Sequence, residues 1–282
     1  MSVGHEKKAV RLAYLTGRLT IGGAELQMIA LTERLTKQGF RVDFVVRAGS
    51  GPLDARARDA GASVRLIGEL SSPQTPARTR YSRRIVKNTR WVTTARHERY
   101  DVVDAWLNPT DVVAALSRPL TRIPVVMSAR LGRTPQLRIG PATRLLDSVV
   151  NRLTDVVVAN AEITAADAQR DQGVPARKIR IIRGGVESPR TFSDAERRAQ
   201  RAALGVTEDQ FLIGCVGTFR SMKRQDLLID AIARLLPANP HLRLLLVGDG
   251  ELRPEIERHI ETLGLGRQVT LFGTATNLPP LY

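Results

Sequence analysis

The sequence predicts an α/β protein built as two doubly wound, parallel-sheet domains, the second incomplete. Three observations carry this expectation. Short apolar runs such as Val102-Val103-Asp104-Ala105-Trp106 and Asp155-Val156-Val157-Val158-Ala159 alternate with helical segments, as in sheets covered on both faces. The alternation breaks at Gly184-Gly185-Val186-Glu187-Ser188-Pro189-Arg190 and then resumes. Charge divides at the same place. Of 43 Lys/Arg and 28 Asp/Glu in 282 residues, residues 191–282 carry 11 of each, so the whole excess of +15 lies in the first 190. That length has room for two domains of about 100–190 residues, each with a core. The expected division is a first domain over 1–186, a linker over 187–194 and a partial second domain over 195–282.

In chain order, Val10 to Leu15 reads as the first strand, and Thr16 to Glu25 as a turn carrying Gly22-Gly23. Leu26, Ile29, Ala30 and Leu35 mark a helix stopped by Gly39. Paired glycines at a strand-to-helix turn let backbone approach a ligand, with a helix N-terminus behind it. Gly22, Gly23 and Glu25 are therefore a candidate ligand loop, although the Gly-x-Gly-x-x-Gly dinucleotide fingerprint is absent. Strands follow at Arg41–Val46 and Ser63–Ile67, with a helix over Leu53–Ala60 between them.

Residues Arg78 to Arg99 hold eight Lys/Arg against Glu98. Tyr81, Ile85, Val92 and Ala95 sketch one helical face, while Arg80, Arg83, Arg84, Lys87 and Arg90 crowd the rest. Those five define either a solvated face or a docking surface for an anionic acceptor or anionic membrane lipid, where each basic residue contributes about 1 kcal/mol. Single-stranded nucleic acid would call for interleaved aromatics, and only Tyr81, Trp91 and Tyr100 lie near. No nucleic-acid partner is expected, and charge alone supports that rival reading. Further strands are expected at Val102–Trp106, Pro124–Met127, Asp155–Ala159 and Ile179–Ile182, with a basic loop over Arg130–Arg138.

The second domain is organised around Ile213-Gly214-Cys215-Val216-Gly217-Thr218-Phe219-Arg220-Ser221-Met222-Lys223. A strand over Phe211–Val216 leads through Gly217 into a helix expected from Met222 to Leu235, with Leu227, Leu228, Ala231 and Leu235 facing the sheet. Gly217, Thr218, Arg220 and Lys223 then sit at the carboxyl end of a parallel strand, where open α/β sheets bind ligands. A helix N-terminus with Arg and Lys makes a phosphate pocket there; a basic surface loop is the plainer alternative. Strands at Leu242–Val247 and Gln268–Leu271 and a helix over Glu251–Leu263 complete the pattern. Cys215, the one cysteine, reads as a core residue, which excludes a disulfide framework. No apolar run approaches the ~20 residues that span a bilayer. A cytoplasmic protein, peripheral at the inner membrane face, is the expectation.

Taken together, Gly22-Gly23-Ala24-Glu25, Val158-Ala159-Asn160-Ala161-Glu162, Gly184-Gly185-Val186-Glu187 and Val216-Gly217-Thr218-Phe219-Arg220-Ser221-Met222-Lys223 resemble the group 1 (family 4) glycosyltransferases of the GT-B fold. Leu246-Val247-Gly248-Asp249-Gly250-Glu251 and Val269-Thr270-Leu271-Phe272-Gly273 fit the same pattern. The resemblance implies two Rossmann-like domains facing a cleft and a retaining transfer from a nucleotide-sugar, which is a substrate rather than a cofactor. It implies no metal. The acceptor, a lipid-linked or cell-envelope glycan, would bind the first domain. By the same resemblance Lys223 contacts the donor diphosphate, with Arg220 standing in for the arginine that Thr218 replaces. Ser128-Ala129-Arg130 stands where the family often carries a histidine. The family's Glu-x7-Glu block is not among these 282 residues, so a catalytically incomplete or non-catalytic binding module is the alternative reading.

Overall fold

A computed structural model describes residues 9–69, 77–106, 109–129, 141–185 and 191–275, with the side chains of 77–85, 129 and 142 outside the described set. The expected loops over 71–76 and 130–138 and residues 187–190 of the linker lie outside the described residues. The chain divides into two compact units, Met1–Val186 and Glu187–Tyr282.

The first unit holds β1 (Arg11–Thr16), β2 (Arg41–Val46), β3 (Ser63–Leu66), β4 (Val102–Trp106), β5 (Val125–Ala129), β6 (Val156–Ala159) and β7 (Ile179–Ile181). They form one parallel sheet in the order β3-β2-β1-β4-β5-β6-β7. The chain starts mid-sheet, winds out to β3 and returns to wind the other way, so right-handed crossovers put the helices of the two halves on opposite faces. Helices α1 (Gly23–Lys37) and α2 (Asp54–Asp59) cover one face; α3 (Ala77–Glu98), α4 (Thr110–Thr121), α5 (Pro141–Leu153) and α6 (Glu162–Gln172) cover the other. Strand β1 shows why its sequence is apolar throughout. Leu12 and Tyr14 enter the core with Met28, Ile29 and Phe44, while Ala13 and Leu15 enter the core with Trp91, Ala114 and Val150.

Helix α3 is anchored differently from its expected face. Ala95 is buried and Val92 partly buried, but the main anchor is the fully buried Trp91, whose indole N–H donates to Ser117 Oγ at 2.8 Å. At the amino end of the sheet, Asp43 accepts from the Tyr100 hydroxyl at 2.7 Å and from Arg65 Nε at 2.8 Å. Glu98 pairs with Arg11 at 2.6 Å and with Arg65 at 3.1 Å. Burial and the Asp43 bond push the Tyr100 phenol well up, and the Arg11 guanidinium holds the Glu98 carboxyl below the usual carboxylate range.

The second unit opens with α7 (Asp194–Ala203), whose Ser193 and Glu196 form a reciprocal capping box. Strands β8 (Phe211–Val216), β9 (Leu242–Val247) and β10 (Val269–Gly273) form a parallel sheet in the order β10-β9-β8. Helices α8 (Gln225–Leu235) and α9 (Arg253–Thr262) bury Ile229, Ile232, Ile256 and Ile260 against it. Of the face expected for α8, Leu228 packs partly buried against the core and the other three positions are corrected. Leu227 is 52% and Leu235 48% exposed and Ala231 is exposed, whereas Gln225, Ile229 and Ile232 are buried. Both sets have helical spacing, and the sheet takes the β-branched pair.

Candidate functional site

Strand β8 ends at Val216, and the next eight residues are a compact turn rather than the start of the helix. Ser221–Lys223 form one 3-10 turn, Arg224 takes φ +50°, and α8 begins only at Gln225. The helix therefore starts three residues later than the sequence predicts. A left-handed residue separates the 3-10 turn from the α-helix, so their amide donors do not run on in one direction.

The turn is held from beneath by backbone. Phe219 is fully buried, its amide donating to Asp249 O at 3.0 Å and its carbonyl accepting from the Leu252 amide at 3.2 Å. Gly217 N donates to Val247 O at 2.9 Å, and Gly248 N to Gly273 O at 2.8 Å. Gly248 lies at φ +146°, and a Cβ there would fall 2.0 Å from the Gly217 carbonyl oxygen. A Cβ on Gly250 would meet the Phe219 carbonyl oxygen at 2.5 Å. The loops at the carboxyl ends of β8, β9 and β10 thus interlock through main chain, leaving no room for side chains at two positions. From the helix side, the buried Gln225 donates its amide to Thr218 O at 3.2 Å.

The four positions expected to meet phosphate, Gly217, Thr218, Arg220 and Lys223, come together on this turn, and the cations of the turn, with the neighbouring Arg224, have unequal fates. Arg224, though exposed, is spent on its neighbour, with Nε and Nη2 meeting the Asp226 carboxylate at 2.9–3.2 Å. Arg220 and Lys223 have no acidic partner among the described residues. The Lys223 stem lies across Gly217, its Cδ and Cε 3.8 and 3.9 Å from where a Cβ would stand. Its charge reaches back along the strand. Burial pushes the Cys215 thiol up, and the Lys223 ammonium opposes that rise. The Thr218 amide donates to no partner among the described residues, while its carbonyl accepts from Arg220 N and Gln225 Nε2. A free amide beside two unpaired cations is a cradle for an anion.

In the first unit, Gly22 is extended and precedes α1. The Glu25 carboxylate folds back over it, accepting from Thr20 Oγ1 at 3.0 Å, and a Cβ on Gly22 would meet Glu25 Oε2 at 2.5 Å. Gly23 faces open space. A Cβ on Gly184 would lie 2.9 Å from Gln27 Nε2 on α1, and Arg183 pairs with Glu162 at 2.7 Å. The three sequence blocks around Gly22, Glu162 and Gly184 therefore meet at one edge of the sheet. Ser128 is buried and donates to Asp104 Oδ1 at 3.1 Å, while Asp104 Oδ2 accepts from Trp106 Nε1 at 2.7 Å. Asp104, Gln225 and Gly248 escape sequence reasoning because their roles depend on distant partners; only the Gly248-Asp249-Gly250 spacing after a strand carries a local signal.

Of the basic face on α3, Arg90 is exposed and Lys87 donates to the Glu69 carbonyl. Arg80, Arg83 and Arg84 lie on α3 with side chains outside the described residues. Among the described residues no His, Cys, Asp and Glu come together as a metal-binding group, and no helix is long and apolar enough to cross a membrane.

Two units, each built on a parallel α/β sheet, give this chain the GT-B fold. Residues 21–190 match Glycosyltransferase Family 4 and residues 196–282 match Glycosyl transferases group 1; the chain belongs to this family. The D-inositol 3-phosphate glycosyltransferase of Kribbella flavida is 28% identical over 256 residues, covering 83% of this chain and 60% of that protein. Its counterpart in a Nocardioides species is 29% identical over 245 residues, covering 80% of this chain and 52% of that protein. The chain thus spans between half and two thirds of the length of these curated relatives. Anabaena Alr3699/HepE, solved with UDP and glucose, superposes with a TM-score of 0.81 at 22% identity, covering 96% of this chain and 71% of that one. WaaG, a glycosyltransferase involved in lipopolysaccharide biosynthesis, superposes with a TM-score of 0.72 at 17% identity, covering 96% of this chain and 72% of that one.

Proposed function

We propose that this protein transfers a sugar from a nucleoside-diphosphate sugar to an anionic acceptor, with the diphosphate held on the Gly217–Lys223 turn. The observation that carries the reading is the pair of unpaired cations, Arg220 and Lys223, on a turn fixed by main-chain contacts to Gly248 and Gly250. As the C–O bond between sugar and diphosphate breaks and the acceptor oxygen bonds to the sugar carbon, negative charge develops on the departing phosphate. Cations already fixed at that place stabilise it without reorganisation. Retention at the anomeric carbon and independence of metal follow from the family resemblance. The uridine base is favoured because Alr3699/HepE was solved with UDP.

The acceptor side rests on charge. The first unit carries the entire +15 excess, and α3 presents Lys87 and Arg90 among its basic residues. An anionic or lipid-linked acceptor fits that field, as does work at the inner face of the cytoplasmic membrane.

Calorimetric titration with UDP tests the donor half. Lys223→Ala or Arg220→Ala should each weaken binding by about 10- to 100-fold, the worth of a charge-assisted hydrogen bond of ~1.5–3 kcal/mol. Arg224→Ala should change it less than about threefold, because that guanidinium already belongs to Asp226. Equal losses from all three would refute the assignment. Binding unchanged by a chelator supports metal independence, and the anomeric configuration of the product, read by NMR, checks retention.

A further inference from the structure

Where α5 and α6 end, beneath the amino ends of β6 and β7, the first unit has a second basic feature that the donor turn does not use. A cavity of about 780 Å³ is lined by Arg144, Arg152, Arg170, Arg177 and Lys178 against Asp147 and Asp171. Two helix C-termini converge here, and each alone would present a negative dipole end and repel an anion. The fold cancels both. Lys178 Nζ donates to the Asn151, Arg152 and Thr154 carbonyls at 2.6, 3.2 and 2.6 Å, and Asn151 Nδ2 donates to Gln172 O at 2.7 Å. Burial pulls Lys178 below the ordinary lysine range. Arg170 is spent on Asp167 and Asp171. Arg144, Arg152 and Arg177 have no acidic partner among the described residues.

The helix that brings Arg144 and Arg152 to this cavity also exposes an apolar stripe. Leu145 is 69% exposed, and Leu146 and Val149 are about 40% exposed. Leu116 and Leu120 stand exposed on α4, which packs against α5. A single exposed leucine means little, but a stripe on one helix with two unpaired arginines on its flanks matches one chemistry: acyl chains beside anionic headgroups.

We propose that α5 and this cavity form an anionic-lipid docking site, with Leu145 and Val149 entering the interface and Arg144, Arg152 and Arg177 taking a headgroup phosphate. It rests on the reading that the basic unit meets an anionic surface, and it moves the point of contact from α3 to the α5–α6 edge.

Sedimentation of the full chain with vesicles of phosphatidylcholine, with and without one third phosphatidylglycerol, tests it. The chain should partition onto the anionic vesicles only, and less as salt rises. Arg144→Gln, Arg152→Gln and Arg177→Gln together should cut partitioning about 100-fold, at about fivefold per charge. Leu145→Ser with Val149→Ser should cut it with all charges kept. Loss only on Lys87→Gln with Arg90→Gln would leave the anionic-surface reading standing and remove this site. No partitioning at all would overturn both. Binding of inorganic phosphate that the triple substitution abolishes, without vesicle binding, would overturn the lipid assignment in favour of a soluble anion. UDP titration of the same variants should match the parent, which separates this outcome from any failure of the donor turn.

Discussion

Substituting Gly248 should do more damage to the Gly217–Lys223 turn than substituting the glycine inside it. A Cβ at Gly248 would stand 2.0 Å from the Gly217 oxygen and 2.8 Å from the Gly217 carbonyl carbon. Non-bonded carbon atoms rest at about 3.5–4.0 Å, so the two loops would have to part by more than an ångström. The backbone at φ +146° is strained for any L side chain as well. Strain of ~1–3 kcal/mol from the dihedral and ~1–3 kcal/mol from overpacking add to about 2–6 kcal/mol for Gly248→Ala. For a unit of this size 1 kcal/mol is worth ~4–8 °C, so its melting transition should fall by ~8 °C or more.

The companion variant gives the test its force. Gly217 is the glycine that the sequence singles out, yet a Cβ there meets only Lys223 methylenes at 3.8 Å or more, which is ordinary contact. Gly217→Ala should melt within about 2 °C of the parent, the usual range for substitutions without a named defect. If the diphosphate packs on this backbone, Gly217→Ala should still weaken UDP binding. Differential scanning of the full chain with UDP titration at 25 °C reads both effects. A Gly248→Ala protein that melts with the parent, or a Gly217→Ala protein that falls as far, would refute the interlocked-loop account.

Two further outcomes concern the scaffold. Because Arg11 holds the Glu98 carboxyl low in the folded state, that pair's stabilisation is complete above the usual carboxylate range and is lost as pH falls through the depressed value. Arg11→Met should flatten this loss between about pH 6 and pH 3, measured as urea midpoints; parallel curves for parent and variant would exclude the pair as its source. Lys178→Met should destabilise the first unit by about 2–3 kcal/mol, since the α5 carbonyls lose a charged donor. A shift below ~0.5 kcal/mol in chemical denaturation would mean that water replaces it freely.

Strands were the most legible part of the fold because their cause is local. A parallel strand covered on both faces must be apolar along its length, and Leu242–Val247 and Val102–Trp106 fall where the sequence predicts. Helix faces were less legible. In α8, residues 227, 231 and 235 compete with residues 225, 229 and 232 for the sheet, and periodicity alone does not choose between them. The start of α8 was misplaced because the 3-10 turn and the left-handed Arg224 leave no composition signal. Arg220, Lys223 and Gly217 could be named as a group from their spacing after a strand. What decides between Arg220 and Arg224, the distance from each guanidinium to Asp226, could not be read without side-chain geometry.

Charge does different work in the two units. The second unit is neutral overall, so its cradle cannot arise from excess charge and must come from how acids are assigned to bases. Asp226 takes Arg224, Asp230 takes His259, and Asp249 and Glu257 both lie on Arg253. Each pairing removes an acid that could have neutralised the turn. Arg220 and Lys223 are left uncompensated at the strand end, a short-range pattern that salt screens weakly once a ligand excludes water. In the first unit the excess is real and spread over many side chains, which makes a field that falls off over about 8 Å in physiological salt. Neutralising surface arginines one at a time should therefore change acceptor or vesicle affinity in graded steps, whereas loss of Lys223 should be abrupt. Comparing the two dose-responses within one protein separates a bound diphosphate from a steered encounter.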